Sequence, residues 1–358
     1  MSQHQSTYSP SFNEKLSVRE GEILRLVVRS FIDTAGPIGS RFLAKRFHVG
    51  LSAASIRNTM SDLEERGLLD HPYTSAGRIP TELGYRAFVD QLMQPERLSA
   101  DDQAYLQSTL EGFDDQPEVL LKECSRILGR LSNLLGVVLS PKLMNGILER
   151  LELVPLSSSR IMFVISLEGG LVKTVILELH TTLGRRDLDD VVTLLNSRLA
   201  GLSIDEIRKT YANRMRDVQD EPTGVVKLVL KSSNDIFSDQ ENGRVSYAGA
   251  QNIVAQPEFL EQPKDLKNLV KLLENENFIV ELLESETLVK PGHVNIRIGS
   301  EISAGKVDQY SIVTARYRLG NTEGTIGVIG PKRMNYSHVF SLVEGMSTLL
   351  TGRDNEKN

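Results

Sequence analysis

The chain has 358 residues, enough for two or three domains, and its 40% hydrophobic and 25% charged residues exclude a collagenous, low-complexity or wholly disordered chain. Its apolar runs, such as 161–165, are far too short to span a bilayer, and the polar opening segment lacks the basic-then-apolar pattern of a signal peptide, so a cytoplasmic protein with no membrane partner is expected. The single Cys124 excludes an intramolecular disulfide and a multi-thiolate zinc site, and a net charge of −6 excludes nucleic-acid coating over the whole surface.

The charge distribution says more than the sum. From Thr34 to Ser61 there is no Asp or Glu, while Arg41, Lys45, Arg46 and Arg57 bring four positive charges, leaving −10 for the rest of the chain. Within and around this island the helical signals are dense. Ser17 with Glu20 forms a capping box, and Leu24, Val27, Val28 and Phe31 follow at helical spacing, predicting a first helix from Ser17 to about Asp33. The stretch 36–39 (Gly-Pro-Ile-Gly) breaks it, and Ser40 is read as the cap of a short second helix through Phe47. A turn at 48–51 places Gly50 where a positive φ is needed. Ser52 then caps a third helix whose inward stripe is Ile56, Met60 and Leu63, with Leu51 and Ile56 as a hydrophobic staple and Gly67 as the stop. This is the helix-turn-helix order.

Opposite Ile56, the third helix carries Ala54, Arg57, Asn58 and Ser61, small or polar groups suited to base edges and phosphates. Ser52 and Ser55 can donate to phosphates near the helix N-terminus. Residues 68–71, a turn at 72–77 and 78–80 read as a β-hairpin wing, on which Thr74, Ser75 and Gly77 can approach phosphate and Arg78 the backbone or minor groove. Arg41 and Lys45 complete the candidate DNA-binding set. Thr81 caps a further helix over 82–93. Helix-turn-helix patterns also occur in protein-interaction modules, so the acid-free stretch and the wing carry the DNA reading. His48 and His71 have no ligand spacing, and no metal is expected.

Further on, 95–101 reads as a linker and 118–139 as one amphipathic helical stretch. Apolar, β-branched runs at 151–156, 161–167 and 171–179 predict an antiparallel meander. Helical spacing returns at 187–199, 203–215 and 225–237, three segments that read as an insertion between two blocks of strands. Strands resume at 294–298, 310–318 and 325–329, before a last helix over 336–351. Cys124, among Leu120, Leu121 and Ile127, reads as a packed thiol, and Asp189, Asp190 and Glu301 as solvated carboxylates. A phosphate loop, a dinucleotide fingerprint and a His-Glu-x-x-His pair are all missing, so neither catalysis nor a cofactor is expected.

The run from Ser52 to Leu69 (SAASIRNTMSDLEERGLL), continued by TSAGRIPTELGYR from Thr74 to Arg86, resembles the bacterial heat-inducible transcription repressor family HrcA. Tyr247 to Asn252, Gln256 to Phe259, Ile298 to Glu301 and Gly327 to Tyr336 are similar to further signatures of that family, with Lys332 and Asn335 departing from the expected Thr and Asp. The resemblance implies an α+β multidomain protein: a disordered N-terminus (1–12), a winged helix-turn-helix domain (13–97), and a GAF-like antiparallel-sheet domain in two halves (98–186 and 246–352). A mainly helical dimerisation insert (187–245) and a tail (353–358) complete it. It also implies a homodimeric repressor on an inverted-repeat operator upstream of chaperone operons, released on heat stress and kept active by the chaperonin GroE. Because GAF-like folds often hold small ligands, a ligand-responsive regulator remains the competing reading.

Overall fold

The computed structural model describes residues 12–48, 50–73, 76–110, 116–178, 184–218, 220–221, 223–237, 244–261, 263–284, 292–302 and 308–352. Most of the N-terminal segment and the whole tail lie outside these. Phe12, assigned to the disordered terminus, is instead buried beneath the Arg66 guanidinium, with its N–H on Asp90.

Helix α1 (Val18–Thr34) begins at the Ser17 capping box and ends at Ala35, which takes the left-handed conformation (φ 53°) and returns its N–H to Phe31. Helix α2 (Ser40–Arg46) differs from expectation at its start. Its cap is Gly39, with no side-chain bond, and Ser40 is already helical. Gly50 does carry a positive φ of 66° in the turn before α3 (Ala53–Glu65), and the Ser52 hydroxyl accepts from the Ser55 N–H at 3.1 Å. Ile56 and Leu63 are fully buried and Met60 nearly so, which fixes the face α3 turns inward. Strands β1 (Leu69–Asp70) and β2 (Ile79–Pro80) pair antiparallel, and Arg78 bridges to Ile38 ahead of α2. Thr81 caps α4 (Glu82–Ala87), which runs on as a π-helical turn over Phe88–Leu92.

After α5 (Ala100–Leu110) comes α6 (Pro117–Ser132). Here the expected single helix over 118–139 is corrected. Asn133 ends it in the left-handed conformation (φ 54°), and 135–139 form strand β3 (Leu135–Leu139), buried at every position. An apolar run buried on both faces carries no alternation to separate strand from helix. Then follow β4 (Leu148–Ser157), β5 (Arg160–Leu167) and β6 (Val172–Glu178), the expected meander, and α7 (Arg185–Leu199), α8 (Ile204–Arg214), α9 (Val225–Lys231) and α10 (Ser233–Ile236). Strand β7 (Val245–Ala248) precedes four helices, α11 (Ala250–Val254), α12 (Pro257–Glu261), α13 (Pro263–Glu274) and α14 (Glu276–Glu284). The chain closes with β8 (Val294–Ile298), β9 (Tyr310–Leu319), β10 (Thr322–Pro331) and α15 (Tyr336–Gly352).

The expected α+β class with antiparallel sheets is what the structure shows. A five-stranded sheet runs in the order β7-β3-β10-β9-β8, and a separate three-stranded sheet in the order β4-β5-β6. One apolar core joins α1, α3 and α4 to α6, α15 and one face of the larger sheet. A second core lies between the opposite face and α11, α12, α13 and α14. The third lies between the smaller sheet and α7, α8, α9 and α10. The expected boundary at 187 therefore falls inside a unit with one core of its own, because the inward side chains of β4 and β5, such as Leu151, Phe163 and Ile165, pack against Leu195 and Ile207 from the helices.

Candidate nucleic-acid interface

The α1–α3 unit presents one exposed face rich in cations and short polar groups. Ala54, Arg57 and Asn58 are exposed and Ser61 half-buried on the outward side of α3, one turn apart, as helical spacing requires. Arg41 and Lys45 are exposed on α2, four residues apart and so on one face. Among the described residues no ion pair involves Arg41, Lys45 or Arg57, whereas Arg46 pairs with Asp33 at 3.5 Å and lies over the rings of Phe42 and Phe47. The three unpaired cations belong to the acid-free stretch, so their field is not cancelled locally.

At the N-terminus of α3, Ser52 is exposed and spends its oxygen lone pair on the cap. Ser55 is already engaged by a residue the sequence reading missed. Arg19 Nη2 donates to the Ser55 carbonyl at 2.8 Å and to its hydroxyl at 2.7 Å, joining α1 to the first turn of α3. Thirty-six positions separate them, and no local pattern signals such a pair. Arg66 adds a second tie from the far end of α3, with Glu20 at 2.7 Å and Glu14 at 3.0 Å. Burial pushes the Glu20 carboxyl up, but bonds from Ser17 and Arg66 outweigh it and hold it below its ordinary value.

The hairpin makes ties within the chain that the sequence does not signal. Thr74 and Ser75 lie outside the described residues. Gly77 is half-buried, and its place is set by packing. A Cβ there would come within 2.5 Å of the Ile38 carbonyl, at the point where Ile38 and Arg78 exchange backbone bonds of 2.9 Å. Arg78 turns to α3, its Nη2 2.5 Å from Glu64 Oε2, and Glu64 also takes the His71 ring nitrogen. Glu64, Asp70 and His71 bring ligand-type atoms within 4.8 Å of one another. With Arg78 on the same carboxylate, this is ion-pair chemistry that ties the hairpin to α3. Exposed Tyr73 stands at the hairpin tip, 63% accessible.

Elsewhere, Cys124 is fully buried, as expected of a packed thiol. Asp189 and Asp190 are exposed, but Glu301, expected at the surface, is only 10% accessible because Arg86 pairs with it. A half-open hollow on the larger sheet is lined by Leu283, His293, Asn295, Thr314, Ala315, Arg316 and Thr325. Among the described residues, no helix is long and apolar enough to cross a membrane.

The profile of the HrcA protein C-terminal domain matches residues 118–340. The heat-inducible transcription repressor HrcA of Chlorobium phaeobacteroides strain BS1 is 40% identical over 345 residues, 94% of this chain and 97% of the relative. That of Prosthecochloris aestuarii is 39% identical over 346 residues, again 94% and 97%. A crystal structure described as that of a hypothetical protein has the same fold, with a TM-score of 0.62 at 21% identity, covering 96% of this chain and all of the other. With relatives of that identity along nearly its full length, the chain belongs to the HrcA family of heat-inducible transcription repressors.

Proposed function

We propose that the protein represses by binding an inverted-repeat DNA operator as a homodimer, with the α1–α3 unit acting as a winged helix-turn-helix head. The family is one of transcriptional repressors of the heat response and not of enzymes. The observation that carries the DNA reading is the outward face of α3, where Arg57 and Asn58 stand exposed beside the unpaired Arg41 and Lys45 of α2. Arg and Asn are the side chains that pair bidentately with guanine and adenine in the major groove. Ser61 and Ala54 leave room for close approach, and Ser52 stands at the helix end where phosphates are favoured. In this reading Arg78 and Gly77 act on the hairpin's position. Thr74 and Ser75 remain the wing's proposed phosphate contacts.

A two-fold operator requires a second copy, and the smaller sheet has the surface for it. Its inner face is covered by α7–α10, while its outer face shows Val154, Met162 and Val164, with Leu156, Val172 and Ile176 between 45% and 49% accessible. An apolar sheet face of this extent is the kind of surface that marks a protein interface. We therefore assign dimerisation to 148–237, a wider insert than 187–245, and read the five-stranded sheet with its helices as the GAF-like domain. Operators upstream of chaperone operons, release on heat stress, maintenance by the chaperonin GroE and residence on the nucleoid within the cytoplasm complete the proposal.

Fluorescence anisotropy provides the test, using an inverted repeat selected from a randomised duplex pool and a scrambled duplex, at two salt concentrations and two temperatures, with and without GroE. Selective binding that weakens on heating and strengthens with chaperonin is expected. Equal, weak binding to both duplexes would overturn the operator reading and leave a basic surface without sequence preference.

A further inference from the structure

We propose that Glu82 and Arg86, clasped by Ser300, Glu301 and Lys332, are positioning residues that fix the angle of the DNA-binding head on the five-stranded sheet and so set which half-site spacing the repressor accepts. The inference rests on the DNA-binding reading above and adds to it the device that holds two heads in register.

Arg86 is 3% accessible and makes four contacts from one guanidinium. Its Nε donates to Glu301 Oε1 at 2.8 Å, its Nη2 reaches Glu301 Oε2 and donates to the Ile296 carbonyl at 2.6 Å, and its Nη1 donates to Asp90 at 3.1 Å. Asp90 lies in the π-helical turn that continues α4, and Glu301 also accepts the Ile298 N–H at 2.9 Å. One turn earlier, Glu82 accepts from the Ser300 N–H at 3.1 Å, the Ser300 hydroxyl at 2.7 Å and the Lys332 ammonium at 2.8 Å. A side chain at Gly299 would push this carboxylate from its place. At Gly299 (φ 55°) a Cβ would stand 2.3 Å from the Glu82 carboxylate.

This cluster lies beside a core that already joins head and sheet through apolar packing such as Tyr85 against Tyr336, ring centroids 5.7 Å apart. Apolar contact is non-directional, and burying the Arg86 and Glu301 charges is a costly way to gain stability that well-packed apolar side chains would supply as well. What a bidentate arginine and a triply bonded carboxylate add is direction, because such bonds weaken steeply away from their preferred angles. A repressor has use for that direction. Two heads on a two-fold site must meet major-groove faces about one helical turn apart, or a multiple of it, so a few degrees of freedom at each head would blur the spacing. Arg333 adds a second pin, donating to the Ile32 carbonyl of α1 at 2.6 Å while held by Glu258.

The experiment is selection of inverted repeats from a randomised duplex pool by the full-length protein, followed by affinities for the selected repeat with base pairs inserted at its centre and for a single half-site. The wild type should select one spacer, and inserting about half a helical turn should weaken binding by about tenfold or more. Arg86→Gln with Glu301→Gln should select the same half-site sequence, bind the single half-site as the wild type does, and spread over several spacers. Glu82→Gln with Lys332→Met, which leaves the buried arginine paired, should do the same more weakly and covers the case in which the first variant does not fold. Folded variants that keep the wild-type spacer would overturn the clasp while leaving the DNA reading intact. A wild type that selects no repeated half-site would remove the DNA reading and the clasp with it.

Discussion

The head and the three-stranded unit are both attached to the five-stranded sheet, and they are attached by opposite means. The head shares the sheet's own core and is clasped by charged side chains, of which Arg86 and Glu301 are nearly buried. The three-stranded unit has a separate core and meets the sheet at a loop, where Gly169 packs against the Gly320 backbone and Glu168 takes the Asn321 amide. A head welded to the sheet passes its orientation on to whatever the sheet is fixed to, while a unit held at a loop can serve as a self-contained dimerising module. Under the proposed function the two attachments would divide the labour of a two-fold DNA reader: one would fix the angle of the head, the other would bring two copies together.

The comparison breaks most visibly by removing a large core side chain from each region. Phe163→Ala, deep in the core of the three-stranded unit, should cost about 3–5 kcal/mol. Hydrogen exchange should then show lost protection over 148–237 with the head's amides unchanged. Leu24→Ala in α1, at about 2–5 kcal/mol, should instead loosen head and sheet together, since they share one core. Next in size is the outer sheet face. Ile176→Lys should leave the melting temperature near that of the wild type, convert the protein to a monomer in sedimentation, and weaken binding to an inverted repeat far more than to a half-site.

The clasp sharpens the comparison through pH. Burial pushes the Glu82 carboxyl up, but its bonds to Lys332 and Ser300 outweigh burial and bring it below the ordinary value. A lowered carboxylate contributes stability that is complete above the ordinary carboxylate range and lost as pH falls through the lowered value. Thermal melts of wild type and Glu82→Gln should therefore differ at neutral pH and converge in acid. The smallest effect is local. Ser17→Ala removes a capping box at an exposed helix end and should cost about 1 kcal/mol, read by chemical denaturation.

Legibility followed the range of the interaction. The Ser17–Glu20 box, the Ile56, Met60, Leu63 stripe and the exposed Arg57 and Asn58 were readable because each is fixed within one or two helical turns. The hairpin's true ties were not. Arg78 to Glu64 and Gly77 against Ile38 depend on how two segments cross. Arg86 and Glu301 lie 215 positions apart, and a carboxylate in a chain with 47 acidic residues carries no mark of burial. Residues 135–139 deceived for a different reason, since a strand buried on both faces has no polar side to reveal its period. The outer face of the smaller sheet shows a related limit, because its apolar, β-branched runs told the strands but not which of their side chains stay uncovered.

The most direct test of the account concerns one side chain. Arg57 is exposed on α3 and forms no ion pair among the described residues, so Arg57→Ala should leave melting temperature and dimer mass unchanged. Anisotropy on the selected inverted repeat, followed across salt concentrations, should show affinity falling by about 1–3 kcal/mol if Arg57 meets a base. A slope of log affinity against log salt shallower by about 0.9 would mark a phosphate contact instead. Affinity and slope both equal to those of the wild type would contradict the claim that this face of α3 meets DNA.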